Sequence, residues 1–122
     1  MKWIIGFDDG VFYRHCVVEA PRDAELITLF EKALEEFNCG VWISKDYYES
    51  GGFFDELLRY GYSFDEARDT VCEFQYSEKL GKYILVTDYD VRPAPPNAVP
   101  GYTHGKHSPD RYARYQPAVR RR

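Results

Sequence analysis

One stretch near the N-terminus repeats apolar residues at the spacing of an α-helix that buries a single face. The repeating residues are Leu26, Leu29, Phe30, Ala33, Leu34 and Phe37. Pro21 and Asp23 stand where the helix is predicted to open, and Gly40 is predicted to take the left-handed conformation that ends it. Because one face of this helix is apolar, the rest of the chain must supply a layer for it to pack against.

That layer is predicted from segments rich in β-branched and aromatic residues. WIIGF (3–7) and VFYRHCVV (11–18) flank Asp8-Asp9-Gly10, which is turn chemistry, and together they predict a hairpin. VWIS (41–44) and KYILVTDYDV (82–91) predict two further strands. The sequence therefore predicts an α+β fold, with a small and mostly antiparallel sheet covered by two or three helices.

Two shorter helices are predicted between the strands. One covers 53–58, after the glycine pair at 51–52, and stops at Gly61. Ser63 and Glu66 have the spacing of a capping box, in which each side chain binds the backbone N–H of the other residue, and they predict the start of the next helix. The predicted buried stripe of that helix is Phe64, Ala67, Val71 and Phe74.

The charge of the chain changes sign along its length. Residues 1–92 hold ten Lys/Arg and nineteen Asp/Glu, net −9, whereas residues 93–122 hold six and one, net +5, and the two sum to −4. The change coincides with PAPPNAVPG (93–101), which favours extended polyproline geometry. We therefore predict a compact domain over 1–92, followed by a proline-rich linker and a basic tail over 93–122.

The three cysteines have no spacing typical of a zinc site or a redox pair. Cys16, Cys39 and Cys72 are odd in number, far apart and set among apolar neighbours, so we expect reduced structural thiols. The chain has no apolar run long enough to span a membrane, and its N-terminus lacks the pattern of a signal peptide. We expect a cytoplasmic protein with no membrane partner.

Acidic residues recur at helical spacing on the predicted outer faces. Asp65, Asp69 and Glu73 lie four apart and point away from the apolar stripe, while Glu31 and Glu35 take the outer face of the first helix. Like charges at this spacing cost about 0.2–0.5 kcal/mol per pair. Either the carboxylates form a solvated face, or they form a docking surface for a basic partner.

Aromatic residues are abundant around the glycine pair. Tyrosine is enriched at protein interfaces, so Tyr47, Tyr48, Tyr60 and Tyr62 are candidate partner-binding residues. Packing in the core or at its rim is the competing interpretation.

Patterns for catalysis or metal binding are weak. His104 and His107 have an HxxH spacing without an evident third ligand, and His15 and Cys16 are strand neighbours that point to opposite faces. Turn formation accounts for Asp8-Asp9, and solvation at a strand end accounts for Asp88 and Asp90. We expect no catalytic residues, no cofactor and no metal.

The basic tail combines guanidinium groups with tyrosines. Arginine makes bidentate phosphate contacts and tyrosine stacks on exposed bases, so the tail is a candidate nucleic-acid-binding segment. Pairing with the acidic body or with a neighbouring molecule is an equally good interpretation. A short helix is predicted over 109–115. The candidate tail residues are Arg111, Tyr112, Arg114, Tyr115, Arg120, Arg121 and Arg122.

Together these patterns favour a non-enzymatic binding protein or inhibitor. It would dock its acidic helix faces and exposed aromatics on a basic surface of a larger protein or nucleoprotein. In size and charge, though in no motif, it is similar to anti-restriction and anti-CRISPR proteins of phages and mobile elements. The alternative is a nucleic-acid-binding accessory protein that acts through its tail.

Overall fold

The chain forms two compact units, which a computed structural model describes over residues 1–8, 13–87 and 90–105. Unit 1 contains residues 1–39 and the described residues from 90 onward, and unit 2 is Gly40–Thr87. The elements in chain order are β1 (Lys2–Asp8), β2 (Tyr13–Glu19), α1 (Leu26–Phe37), β3 (Trp42–Ser44), α2 (Lys45–Glu49), α3 (Gly52–Arg59), α4 (Phe64–Cys72), β4 (Phe74–Ser77), β5 (Lys82–Leu85), β6 (Asp90–Pro93) and β7 (Gly101–Gly105). The predicted α+β class is confirmed, with two small antiparallel sheets in place of one and four helices among the described residues.

Unit 1 is built on the predicted hairpin. β1 and β2 pair with Ile5 opposite Cys16 and Gly6 opposite His15, and the sheet order is β6-β1-β2-β7. Asp9 and Gly10 of the predicted turn lie outside the described residues. The two predicted strands are confirmed, and consecutive residues of both are buried, such as Ile4 and Ile5 in β1 and Val17 and Val18 in β2.

Helix α1 packs its apolar stripe against β1 and β2. Leu29, Phe30, Ala33 and Leu34 are buried, and the rings of Phe7 and Phe30 meet edge to face with centroids 5.3 Å apart. The helix begins at Leu26, three residues after the predicted opening at Asp23. It ends at Asn38 (φ 51°) rather than at Gly40, because asparagine also tolerates the left-handed conformation.

The proline-rich segment belongs to unit 1. Lys2 Nζ donates to the carbonyl oxygens of Pro96 and Ala98, at 3.0 and 2.7 Å, and the Ala94 N–H donates to the Lys2 carbonyl. Ala98 is buried against Ile4 and Val17. The boundary predicted after Arg92 falls inside β6, and strand pairing continues to Gly105.

Unit 2 has a sheet of order β3-β5-β4, and two of its features differ from prediction. The single strand predicted over 82–91 is two strands, β5 in unit 2 and β6 in unit 1. Phe74 is buried in β4 and not on a helix, since α4 already ends at Cys72.

Helices α2 and α4 of unit 2 each begin at a capping serine, Ser44 and Ser63. The predicted capping box is confirmed: the Glu66 N–H donates to Ser63 Oγ (3.1 Å), and the Ser63 N–H donates to a Glu66 carboxylate oxygen (2.9 Å). Of the predicted stripe on α4, Ala67 is buried and Val71 is half-buried, whereas Phe64 is 59 % exposed. The prediction for Phe64 is wrong: this first residue of α4 contacts the Phe54 ring and the Arg68 guanidinium, and these contacts leave most of its side chain exposed.

Candidate partner-binding surface

The turn between α3 and α4 exposes two tyrosines. The backbone N–H groups of Tyr60 and Tyr62 both donate to the Leu57 carbonyl at 3.1 Å, and Gly61 between them has φ 98°. These bonds provide donors for a carbonyl group in the last turn of α3. The Tyr60 and Tyr62 side chains remain 74 % and 42 % exposed.

Phe64 continues this exposed row into α4. Its ring meets the edge of Phe54, with centroids 5.2 Å apart, and the Arg68 guanidinium carbon lies 5.4 Å from its centroid. The same guanidinium donates to Asp65 Oδ1 at 2.7 Å. One cation is therefore held by an aromatic face and a carboxylate together.

Of the three acidic residues predicted on the outer face of α4, two are exposed to solvent. Asp65 and Asp69 are exposed on adjacent turns, and Asp65 makes its ion pair in solvent, where such a pair contributes little to stability. Glu73 is half-buried and caps the C-terminus of α4, and it interacts with other groups of the chain. The exposed carboxylates of Asp65 and Asp69 thus lie on α4, the helix that begins with Phe64.

We call these exposed residues of unit 2 the aromatic–acidic surface: Leu58, Tyr60, Tyr62, Phe64, Asp65 and Asp69. Unit 2 holds nine acids and five bases, so its formal charge is 5 − 9 = −4. Two of the five bases make ion pairs on their own helices, Arg68 with Asp65 and Lys45 with Glu49. The surface therefore combines exposed apolar and acidic side chains in a unit of net negative charge.

The two remaining candidate tyrosines have different surroundings. Tyr48 stacks on Tyr83, with ring centroids 3.7 Å apart, and donates to the Val71 carbonyl at 2.9 Å. Burial raises the pKa of Tyr48, and this residue holds α2 against the sheet and α4. Tyr47 is 37 % exposed and donates to the Glu56 carboxylate, a hydrogen bond that raises the pKa of Tyr47. The structure therefore places Tyr48 in the packing of unit 2.

The acids of the first helix belong to unit 1. Glu35 is exposed and Glu31 is half-buried, and both interact with other groups of the chain. Lys32 and Glu36 form an ion pair of 3.0 Å on the same helix. These carboxylates are therefore not part of the aromatic–acidic surface, whose residues belong to unit 2.

A buried polar row crosses the sheet of unit 1. Asp90 and His15 both lie opposite Gly6 on neighbouring strands, and each is 2 % exposed. The expectation that Asp90 is solvated at a strand end is wrong, because its carboxylate pairs with Arg92 inside the sheet. The described residues contain no group of three His, Cys, Asp or Glu side chains that would hold a metal ion.

Several predicted residues lie outside the described ones. Asp88, His107, the helix predicted over 109–115 and the whole basic tail are among them, so the structure neither supports nor opposes their roles. The candidate tail residues in this set are Arg111, Tyr112, Arg114, Tyr115, Arg120, Arg121 and Arg122.

The sequence patterns assigned Phe64 to a buried stripe and placed Leu58 in a short helix, so neither residue was among the exposed candidates. The position of Phe64 directly after the capping serine was the available signal, since a residue in the first turn of a helix often extends past the face that the helix buries.

Comparison of the chain with protein-family models, curated proteins and solved structures finds no match. Within the described residues, no helix has the length and apolar character needed to cross a membrane.

Proposed function

We propose that the chain is a non-enzymatic binding protein that docks its aromatic–acidic surface on a basic surface of a larger protein or nucleoprotein. One observation carries the proposal: Arg68 is held by the Phe64 ring and the Asp65 carboxylate at once. A partner's arginine would meet the same two kinds of group at Tyr60, Tyr62 and Asp69. Arginine and aromatic residues are also the side chains that most often dominate binding energy at interfaces.

The aromatic and acidic residues have separate roles in this proposal. Burying Tyr60 and Phe64, which are 74 % and 59 % exposed, supplies affinity, and losing such an anchor costs about 2 kcal/mol or more. Asp65 and Asp69 lie in solvent, so they mainly raise the association rate and select basic partners. The carboxylates would occupy positions that phosphates take on a nucleic-acid-binding protein. An inhibitor of the anti-restriction or anti-CRISPR type, acting in the cytoplasm, is the role that this chemistry favours.

Affinity capture from the native host, followed by binding kinetics with the captured protein, tests the proposal. Tyr60→Ser with Phe64→Ser should raise the dissociation rate, whereas Asp65→Lys with Asp69→Lys should lower the association rate and weaken its salt dependence. Matched controls are Val99→Ser, an exposed apolar residue of unit 1, and Glu78→Lys, an exposed acid of unit 2. The proposal fails if all four variants bind alike, or if the captured surface is acidic.

A truncation distinguishes the proposed function from the alternative, in which the basic tail binds nucleic acid. The cut must follow Gly105, because β7 pairs with β2 and removing it would expose a sheet edge. We expect the shortened chain to keep partner binding. Loss of binding on truncation, together with nucleic-acid binding by the full chain that falls steeply with salt, would favour the tail-based function instead.

A further inference from the structure

Strand β4 forms one edge of the sheet of unit 2. Within the described residues it pairs with β5 alone, since the sheet order is β3-β5-β4. Edge strands commonly carry charged side chains, a proline or a bulge, which discourage pairing with other chains. β4 reads FQYS, without a charge or a proline, and its register with β5 runs without an extra residue. The strand therefore lacks the features that block the addition of a further strand.

The backbone groups along this edge have a defined direction. The Val86 N–H donates to the Glu73 carbonyl at 3.0 Å, so these two residues form a hydrogen-bonded pair. Such pairs alternate with non-hydrogen-bonded ones in an antiparallel ladder, so Gln75 is bonded to β5 whereas Phe74 and Tyr76 are not. The N–H and C=O groups of Phe74 and Tyr76 therefore point away from β5. No backbone hydrogen bond joins them to another part of the described chain.

The side chains of β4 are symmetric about Gln75. The Phe74 ring meets the Phe53 ring of α3 with centroids 5.2 Å apart, and the Tyr76 ring lies 5.1 Å from the ring of Tyr83. Gln75 points to the opposite face of the sheet and is exposed. The order aromatic, glutamine, aromatic reads the same in both directions. A second β4 laid antiparallel alongside would therefore match aromatic with aromatic and glutamine with glutamine.

We propose that β4 pairs antiparallel with β4 of a second copy of this chain, with the two Gln75 residues opposite each other. This register joins the N–H and C=O groups of Phe74 to those of Tyr76 in the second copy, which gives four backbone hydrogen bonds. It also gives two aromatic cross-strand pairs, which stabilise antiparallel sheets. The two sheets become one sheet of six strands, ordered β3-β5-β4-β4-β5-β3. The pairing does not depend on the proposed partner.

Charge and contact area set the strength of this pairing. Acidic residues flank β4, but the register places Glu73 opposite Ser77 and Glu78 opposite Cys72, so no like charges lie directly opposite. The two copies of unit 2 still repel, because each has a formal charge of −4. Four hydrogen bonds and two ring pairs make a small contact, in the class below roughly 1,200 Å². We therefore expect a reversible dimer that forms at high protein concentration and strengthens with added salt.

The first test measures the unchanged chain, which needs no variant to fold. Sedimentation equilibrium should show a monomer in dilute solution and a dimer as the concentration approaches about 1 mM. Amide hydrogen exchange should slow at Phe74 and Tyr76 in the dimer, whereas exchange at Gln75, which is already bonded to β5, should change little. A monomer at every concentration overturns the proposal, and so does a dimer in which the Phe74 and Tyr76 amides still exchange fast.

Charged substitutions at Gln75 test the register. Gln75→Lys and Gln75→Glu should each be monomeric, because like charges would lie opposite each other, and an equimolar mixture should restore a dimer with one chain of each kind. Asp65→Lys with Asp69→Lys is the matched control, which changes the aromatic–acidic surface and should not weaken the dimer. If Gln75→Lys dimerises like the unchanged chain, the strand pairing is wrong and the proposed function is unaffected. If the unchanged chain is monomeric and Gln75→Lys loses partner capture, the edge binds a strand of the partner instead.

A disulfide crosslink reports the same register. In a Cys72→Ser background, Gln75→Cys should form a crosslinked dimer on air oxidation, because opposite residues of a non-hydrogen-bonded pair have Cα atoms about 4.5 Å apart. Glu78→Cys in the same background is the control, since the two Glu78 positions would lie roughly 20 Å apart. Equal crosslinking at both positions would exclude this register.

Discussion

The capping box at the start of α4 permits a prediction with a worked magnitude. Ser63→Ala removes the acceptor of the Glu66 N–H and leaves one helix donor to water. Replacing a serine N-cap by alanine costs about 1 kcal/mol, within a range of about 0.5–2. Because Ser63 is exposed, water replaces part of the lost bond, and we expect a value near the middle of that range. A loss of about 1 kcal/mol lowers the folding equilibrium constant roughly fivefold.

The measurement combines urea unfolding with amide hydrogen exchange. Exchange at the Glu66 amide should accelerate in Ser63→Ala, since its hydrogen bond is lost. Ser63→Asp is the matched control, because aspartate caps about as well as serine, and Ser63→Gly should cost only about a few tenths of a kcal/mol. The reasoning is refuted if alanine and aspartate give equal stability and the Glu66 amide exchanges at the same rate in both.

Three further predictions follow from the packing and charges. Phe30→Ala should destabilise unit 1 by about 3–5 kcal/mol in urea unfolding, and a loss below about 1 kcal/mol would contradict its core position. Gly52→Ala should destabilise unit 2, because the new Cβ would lie 2.7 Å from the Tyr47 ring. In a Tyr47→Ala background the same change should cause no loss of stability. An equal loss of stability in both backgrounds would refute the clash. The hydrogen bond from Lys45 lowers the pKa of Glu49, so this carboxylate stabilises the fold above its unfolded-state pKa and the contribution is lost as pH falls through the folded-state value. Lys45→Met should return the pKa of Glu49 towards its ordinary value in an NMR titration, and no movement would exclude the ion pair as the cause.

The sequence predicted the elements whose signals are local. The apolar stripe of α1 and the capping box of α4 each lie within a few residues, and both are present in the structure. The sequence could not divide 82–91 into two strands of different sheets, because β-forming residues run through it almost without interruption. β4 was missed for a related reason: Phe74 continues the helical spacing of Val71, and only packing in three dimensions assigns it to a strand.

The sequence predicted the exposure of the acidic residues at the candidate site better than the exposure of its aromatic residues. Helical spacing alone places Asp65 and Asp69 on the outer face of α4, and both are exposed. Phe64 is exposed although the sequence predicted it in a buried stripe, and Tyr48 is half-buried and stacks on Tyr83 from another element, in line with the interpretation of packing at the rim of the core. The burial of both side chains depends on contacts with residues distant in the sequence, and the sequence pattern does not reveal those contacts.

The order of the strands in unit 1 has a consequence for synthesis on the ribosome. β6 and β7 close the two edges of the β1–β2 hairpin, yet the whole of unit 2 is translated before either of them emerges. During this time the backbone N–H and C=O groups at both edges of the nascent hairpin lack their strand partners. Such edges are prone to pairing with other chains. Unit 2, whose strands and helices are contiguous, can complete its own folding during that interval. The β1–β2 hairpin is thus translated before unit 2 and completed after it.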